Sequence, residues 1–154
     1  MSSMYVEAPE YSRSELVWLT ELLKQNRDLD VILQPERQRK QDAVQSQLNH
    51  TLIRLGTKPN LKGYQYLKTA VELCLNDREE LDGITKRLYP SVARKHRTSA
   101  DKVEHAIRHA IESAWTRGNM EEQMRIFGYS SESGMRPTNS EFITGLLDYL
   151  SIFA

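Results

Sequence analysis

Tyr89-Pro90-Ser91-Val92-Ala93-Arg94-Lys95-His96-Arg97-Thr98-Ser99-Ala100-Asp101-Lys102-Val103-Glu104-His105-Ala106-Ile107-Arg108-His109-Ala110-Ile111 reads as two helices joined by a tight turn. Pro90 opens the first, because proline lacks an amide hydrogen that a first turn leaves unbonded anyway. Val92 and Ala93 take its inner side. Thr98 or Ser99 caps the second, whose Val103, Ala106, Ile107, Ala110, Ile111 and Ala114 share one face at about 100° per residue. A helix-turn-helix needs a small residue where the helices cross, which Ala93 supplies. It also needs an aliphatic residue ten positions on to fill the angle between them, which Val103 supplies. The usual turn glycine is absent, and Arg97 stands in its place.

The opposite face of the second helix carries Asp101, Lys102, Glu104, His105, Arg108, His109 and Glu112. Long hydrogen-bonding side chains near a helix N-terminus are what a recognition helix offers to base edges. Lys86, Arg87, Arg94, Lys95 and Arg97, with the hydroxyls of Thr98 and Ser99, are placed to meet phosphates on either side.

Outward from this stretch the pattern stays helical. Residues 12–27 predict an amphipathic helix capped by Ser12 or Ser14, with Leu16, Leu19, Leu22 and Leu23 on one face and Val17 and Trp18 beside it. Leu29 to Leu33 reads as a short strand ending before Pro35, and Pro35 to Gln47 as a polar linker running into a helix at 42–55 that Gly56 stops. Further helices are expected from Pro59 to Asn76, at 79–87, from Pro90 to Lys95, from Thr98 to Arg117 and at 120–127. Gly128 to Asn139 reads as a loop, and Asn139 or Ser140 caps a last apolar helix ending at Phe153. The domain division expected is an N-terminal segment at 1–41 followed by a helix-turn-helix domain at 42–154.

Composition narrows the function. The 154 residues are 39% hydrophobic and 27% charged, enough for one core under a charged surface. The 21 basic and 21 acidic residues cancel, which excludes a globally basic nucleic-acid binder but not a locally basic one. Seven basic groups fall within 86–109 against Asp101 and Glu104 alone, whereas residues 1–42 hold six basic and eight acidic groups. No apolar run approaches the ~20 residues that span a bilayer, and Met1 to Glu10 lack the pattern of a secretory signal. A lone cysteine, Cys74, leaves no disulfide framework and fits a reducing, cytoplasmic compartment.

Enzymatic constellations are weak. His105 and His109 lie one turn apart but lack a third metal ligand. No phosphate-cradling or nucleophile-elbow glycine motif occurs. Cys74 sits on an apolar helix face as a structural thiol, and Trp115, Tyr64, Tyr66 and Phe127 read as core. No enzyme activity and no cofactor are expected.

Several ordered blocks resemble one family. They are Leu61-Lys62-Gly63-Tyr64-Gln65-Tyr66-Leu67, Ile84-Thr85-Lys86-Arg87-Leu88-Tyr89-Pro90, Val103 through Glu112, Ala114-Trp115-Thr116-Arg117-Gly118-Asn119 and Arg136-Pro137-Thr138-Asn139-Ser140-Glu141-Phe142-Ile143. The resemblance, over about residues 45–150, is to the C-terminal DNA-binding effector domain of the stage-zero sporulation protein A family of response regulators. It implies an all-α fold of six helices containing a helix-turn-helix, and sequence-specific binding to promoter DNA, often as dimers on tandem sites. The partners it implies are double-stranded DNA, a second copy of the chain and RNA polymerase, with no membrane. Its base-reading positions fall on Lys102, Glu104, His105, Arg108 and His109. Family members commonly carry arginine where this chain has Lys102 and His105; lysine lacks the planar fork and histidine most of the charge at neutral pH. A full-length member opens with a phosphoacceptor receiver. Here Tyr5-Val6-Glu7-Ala8, Ser14-Glu15-Leu16-Val17 and Leu29-Asp30-Val31-Ile32 only faintly resemble a receiver's first strand, helix and second strand, and Ala8-Pro9-Glu10 stands where an acidic pair belongs. The reading is a regulator without phosphorylation control. The alternative is an interaction module that pairs with or antagonises a full-length regulator.

Overall fold

The computed structural model describes residues 13–25 and 27–153; the side chains of residue 19 and of residues 22–33 lie outside it. The stretch Tyr5 to Ala8 that faintly resembles a receiver's first strand, the cap at Ser12 and the side chains of the inward set Leu19, Leu22 and Leu23 therefore fall outside the described residues. Among the described residues there is no strand. The chain divides into two compact units, Met1–Ala43 and Val44–Ala154.

The first unit contains α1 (Arg13–Gln25) and the start of α2 (Arg27–Arg54). Leu16, Val17 and Trp18 of α1 are exposed. Ser14 lies inside α1 rather than capping it. The strand expected at Leu29 to Leu33 and the linker expected from Pro35 are both helix. Three aliphatic residues are too few for periodicity to separate strand from helix. The polar run after them is rich in Arg, Gln, Glu and Lys, all strong helix formers. Gln38 also bonds Asp42 one turn on, at 2.9 Å. Pro35 sits inside the helix and removes one ladder bond without ending it.

The second unit begins with the last turns of α2, where Leu48, Leu52 and Leu55 are fully buried. Next come α3 (Lys62–Asn76), a 3₁₀ turn (Arg78–Gly83), a wide turn (Ile84–Leu88), α4 (Tyr89–His96), α5 (Ala100–Arg117), α6 (Met120–Phe127) and α7 (Asn139–Leu150). The single helix expected at 79–87 is thus two turns of different pitch. Asp77 caps the first by accepting from the Glu79 amide at 3.0 Å.

The core lies between α3, α5 and α7. Leu67, Ala70, Val71 and Cys74 face Val103, Ile107, Ala110 and Ile111, and α7 closes over them with Phe142, Ile143, Leu146, Leu147 and Leu150. Burial pushes the Cys74 thiol up to about 11, so it stays protonated and packs as a small apolar group. Trp115 donates from Nε1 to the Met135 carbonyl at 2.6 Å and meets Phe127 edge-on, which fixes α6 and the following loop against α5. No helix of the described residues is long and apolar enough to cross a membrane.

The α3–α5 crossing depends on Gly63. A Cβ there would lie 2.2 Å from the Ala106 carbonyl oxygen and 2.6 Å from the Ala110 Cβ. The two helices therefore approach to backbone contact, and only glycine fits. Gly63→Ala is expected to destabilise the protein by about 1–3 kcal/mol or more through forced separation of the helices. Gly134, at φ +75 with open space around it, should cost only about 1 kcal/mol on the same change. Denaturant unfolding of both variants measures the difference.

Candidate nucleic-acid interface

The turn between α4 and α5 is made without glycine. Arg97 adopts φ 54 and ψ 48, the left-handed region, at the position where a glycine is usual. Its amide and that of Thr98 both bond the Ala93 carbonyl, the latter at 3.0 Å. These bonds close the end of α4 and turn the chain sharply. Ser99 then caps α5, its Oγ accepting from the Lys102 amide at 3.3 Å. Ala93 and Val103 are both buried at the crossing.

This turn leaves the first three turns of α5 with one face outward. Lys102, His105, Arg108 and His109 are exposed and Glu104 is half-buried. Three of these five form a cluster on the helix surface. Arg108 Nη2 donates to His105 Nδ1 at 2.5 Å, and Arg108 Nη1 lies 3.5 Å from Glu104 Oε1. Glu104 Oε2 is also 3.5 Å from His105 Nδ1, but the shorter Arg108 bond makes that nitrogen the acceptor. A neutral His105 ring then carries its proton on Nε2, as an outward donor. Arg108 keeps further N–H groups beyond the two so engaged.

The cations expected to meet phosphates divide into two kinds. Arg87 is held by Asp77 at 3.8 Å and by Glu79 at 3.7 Å. Arg94 is exposed and donates to Ser91 Oγ at 3.1 Å. Lys86, Lys95 and Arg97 are exposed, and Thr98 is half-buried beside Arg97. Ser99 uses its oxygen in the cap and retains its hydroxyl proton. Among the described residues no three His, Cys, Asp or Glu side chains gather as a metal site.

Two features escape a linear reading. Asn139, expected to cap α7, instead points inward: Nδ2 donates to Tyr89 Oη at 2.9 Å and to the Glu104 carbonyl at 3.2 Å. It ties the start of α7 to the start of α4 and to the second turn of α5. Thr138 takes the capping role, with its Oγ1 accepting from the Glu141 amide at 3.1 Å. Burial pushes the Tyr89 phenol above its usual range, opposed by the Asn139 bond, so it remains protonated. The second feature is a groove beside α5, lined by Lys62 and Gln65 of α3 together with Arg97, Thr98, Lys102 and His105. The only sequence signal for it is Gly63, whose missing side chain brings α3 to α5.

Residues 48–150 match the family model described as sporulation initiation factor Spo0A C terminal. The chain belongs to this family. It is a DNA-binding effector domain of the sporulation-regulator type, within a family of regulators rather than enzymes. The helix-turn-helix of this Spo0A C-terminal domain is α4 and α5, with Arg97 at the turn.

A non-glycine residue in the left-handed region costs about 1–2 kcal/mol. Arg97→Gly is therefore expected to raise stability by about 1 kcal/mol in denaturant unfolding. Asn139→Ala should lower it by about 1–3 kcal/mol, because the buried Tyr89 oxygen loses its partner.

Proposed function

We propose that the chain is a sequence-specific transcriptional regulator that seats α5 in the major groove of promoter DNA. Lys102, Glu104, His105, Arg108 and His109 face base edges, while Lys86, Arg87, Arg94, Lys95, Arg97, Thr98 and Ser99 contact phosphates. The observation that carries this reading is the tight turn at Arg97, which leaves the start of α5 outward and ringed by cations. Arg108 is suited to a guanine edge through two parallel N–H donors, and Glu104 to a cytosine amine. The protein acts in the cytoplasm, as a dimer on tandem sites, and touches RNA polymerase where it activates.

Residues 1–41 are a separate segment in this proposal, and the regulator works without phosphorylation control. The described residues before Val44 are helical. Exposed Leu16, Val17 and Trp18 favour a second reading, an interaction module that binds a full-length regulator through α1. Selection from a randomised duplex library separates the two: the regulator enriches one sequence, and the interaction module enriches none.

Each phosphate neutralised contributes about −0.9 to the slope of log affinity against log salt. A steep negative slope is expected from this net-neutral chain. Arg108→Ala and Lys102→Ala should each cost about 1–3 kcal/mol and relax preference at one base pair. Lys86→Ala should weaken all sequences alike. Unchanged sequence preference in the Lys102, Glu104 and Arg108 variants together would remove α5 from the reading role.

A further inference from the structure

Beyond the helix-turn-helix, we propose that α3 is a third DNA-contacting helix, in which Lys62 binds a backbone phosphate beside α5 and Gln65 hydrogen-bonds the same strand. This rests on the reading of α5 as the recognition helix. Gly63 is the structural reason: without a Cβ it lets α3 touch the α5 backbone at Ala106. The neighbouring exposed residues Lys62 and Gln65 thereby come to line one groove with Arg97, Thr98, Lys102 and His105.

The charge of that groove points to its ligand. No carboxylate lines it. Among the described residues Lys62, Arg97 and Lys102 have no acidic partner, whereas Arg108 and Arg125 are each held by one and Arg87 by two. His96 borders the groove, but its Nε2 is taken by Thr69 Oγ1 at 2.7 Å. A helix about 10–12 Å across fills a major groove about 12 Å wide, so what flanks the helix faces the sugar-phosphate walls. A lysine ammonium there is a point charge suited to phosphate, with no planar fork for a base edge. Gln65 is neutral and adds a hydrogen bond without releasing a counterion.

The test uses the duplex enriched from the randomised library and fluorescence anisotropy across about 50–200 mM salt. Lys62→Ala should make the salt slope shallower by about 0.9, and Lys62→Arg should restore it. Gln65→Ala should weaken binding at every salt concentration with the slope unchanged. Arg117→Ala is the control: it lies fifteen residues beyond Lys102 on α5, about 22 Å along the helix, and should leave the slope as it was. A Lys62→Ala slope equal to that of the Arg117 control overturns the proposal while leaving the α5 reading intact. A changed preferred sequence for Lys62→Ala also overturns it, since the lysine would then read a base. If the unaltered chain enriches no sequence and shows no salt slope, both the proposal and the α5 reading fall.

Discussion

The backbone contact between α3 and α5 at Gly63 and Ala106 is the constraint on which the rest of the domain is built. It fixes the distance between two helices whose side chains, Leu67, Ala70 and Val71 on one and Val103, Ile107 and Ala110 on the other, are buried in the core. The small residues at the crossing and the large ones to either side follow from that distance. Gly118 repeats the device at the other end of α5, where a Cβ would lie 2.0 Å from the Leu55 carbonyl oxygen. So α5 is held by close backbone approach at two levels, by α3 at its second turn and by Leu55, just after α2, at its finish. A helix held in this way can expose a charged face without needing that face for its own stability.

Position along the axis is only part of what a reading helix requires; its inclination to α4 matters as much. Two polar devices set it. The left-handed Arg97 lets α4 end and α5 begin within a few residues. Asn139 spans the other side of the angle, joining Tyr89 at the start of α4 to the Glu104 carbonyl. Both act on the backbone or on a buried phenol, so neither takes up a side chain on the outward face. The Glu104–His105–Arg108 cluster then limits the rotamers of the outward groups themselves.

The helix-turn-helix was legible because its signals are local: Pro90 at a first turn, small Ala93, Val103 ten residues on, and a serine cap. The family resemblance, residues 48–150 of which the match bears out, rested on blocks of the same kind. The failures have physical causes as well. The start of α2 was misread because a polar run broken by Pro35 carries no periodicity, so helix propensity alone decides it. The α7 cap was misplaced by one residue because Asn139 is a good cap that a buried phenol fifty positions away draws inward. Lys62 and Gln65 escaped because their nearness to Lys102 depends on how α3 crosses α5, which no spacing along the chain encodes.

Net neutrality gives the charge distribution its meaning. With 21 positive and 21 negative groups, the field of the whole chain falls off quickly, so attraction to a polyanion depends on cations left unpaired near the contact. The pairing is uneven in that sense. Glu122 takes Arg54 and Arg125, Glu112 takes Arg136, and Asp77 with Glu79 takes Arg87. Around the start of α5 the carboxylates are fewer: Glu104 is turned onto Arg108, and Asp101 alone shares the first turn with Lys102. Exposed pairs of this sort add little stability, about 0–1 kcal/mol each. Their larger effect is to cancel positive charge around Arg54, Arg87, Arg125 and Arg136, while the proposed recognition helix and the turn before it keep Lys102 and Arg97 exposed and without an acidic partner.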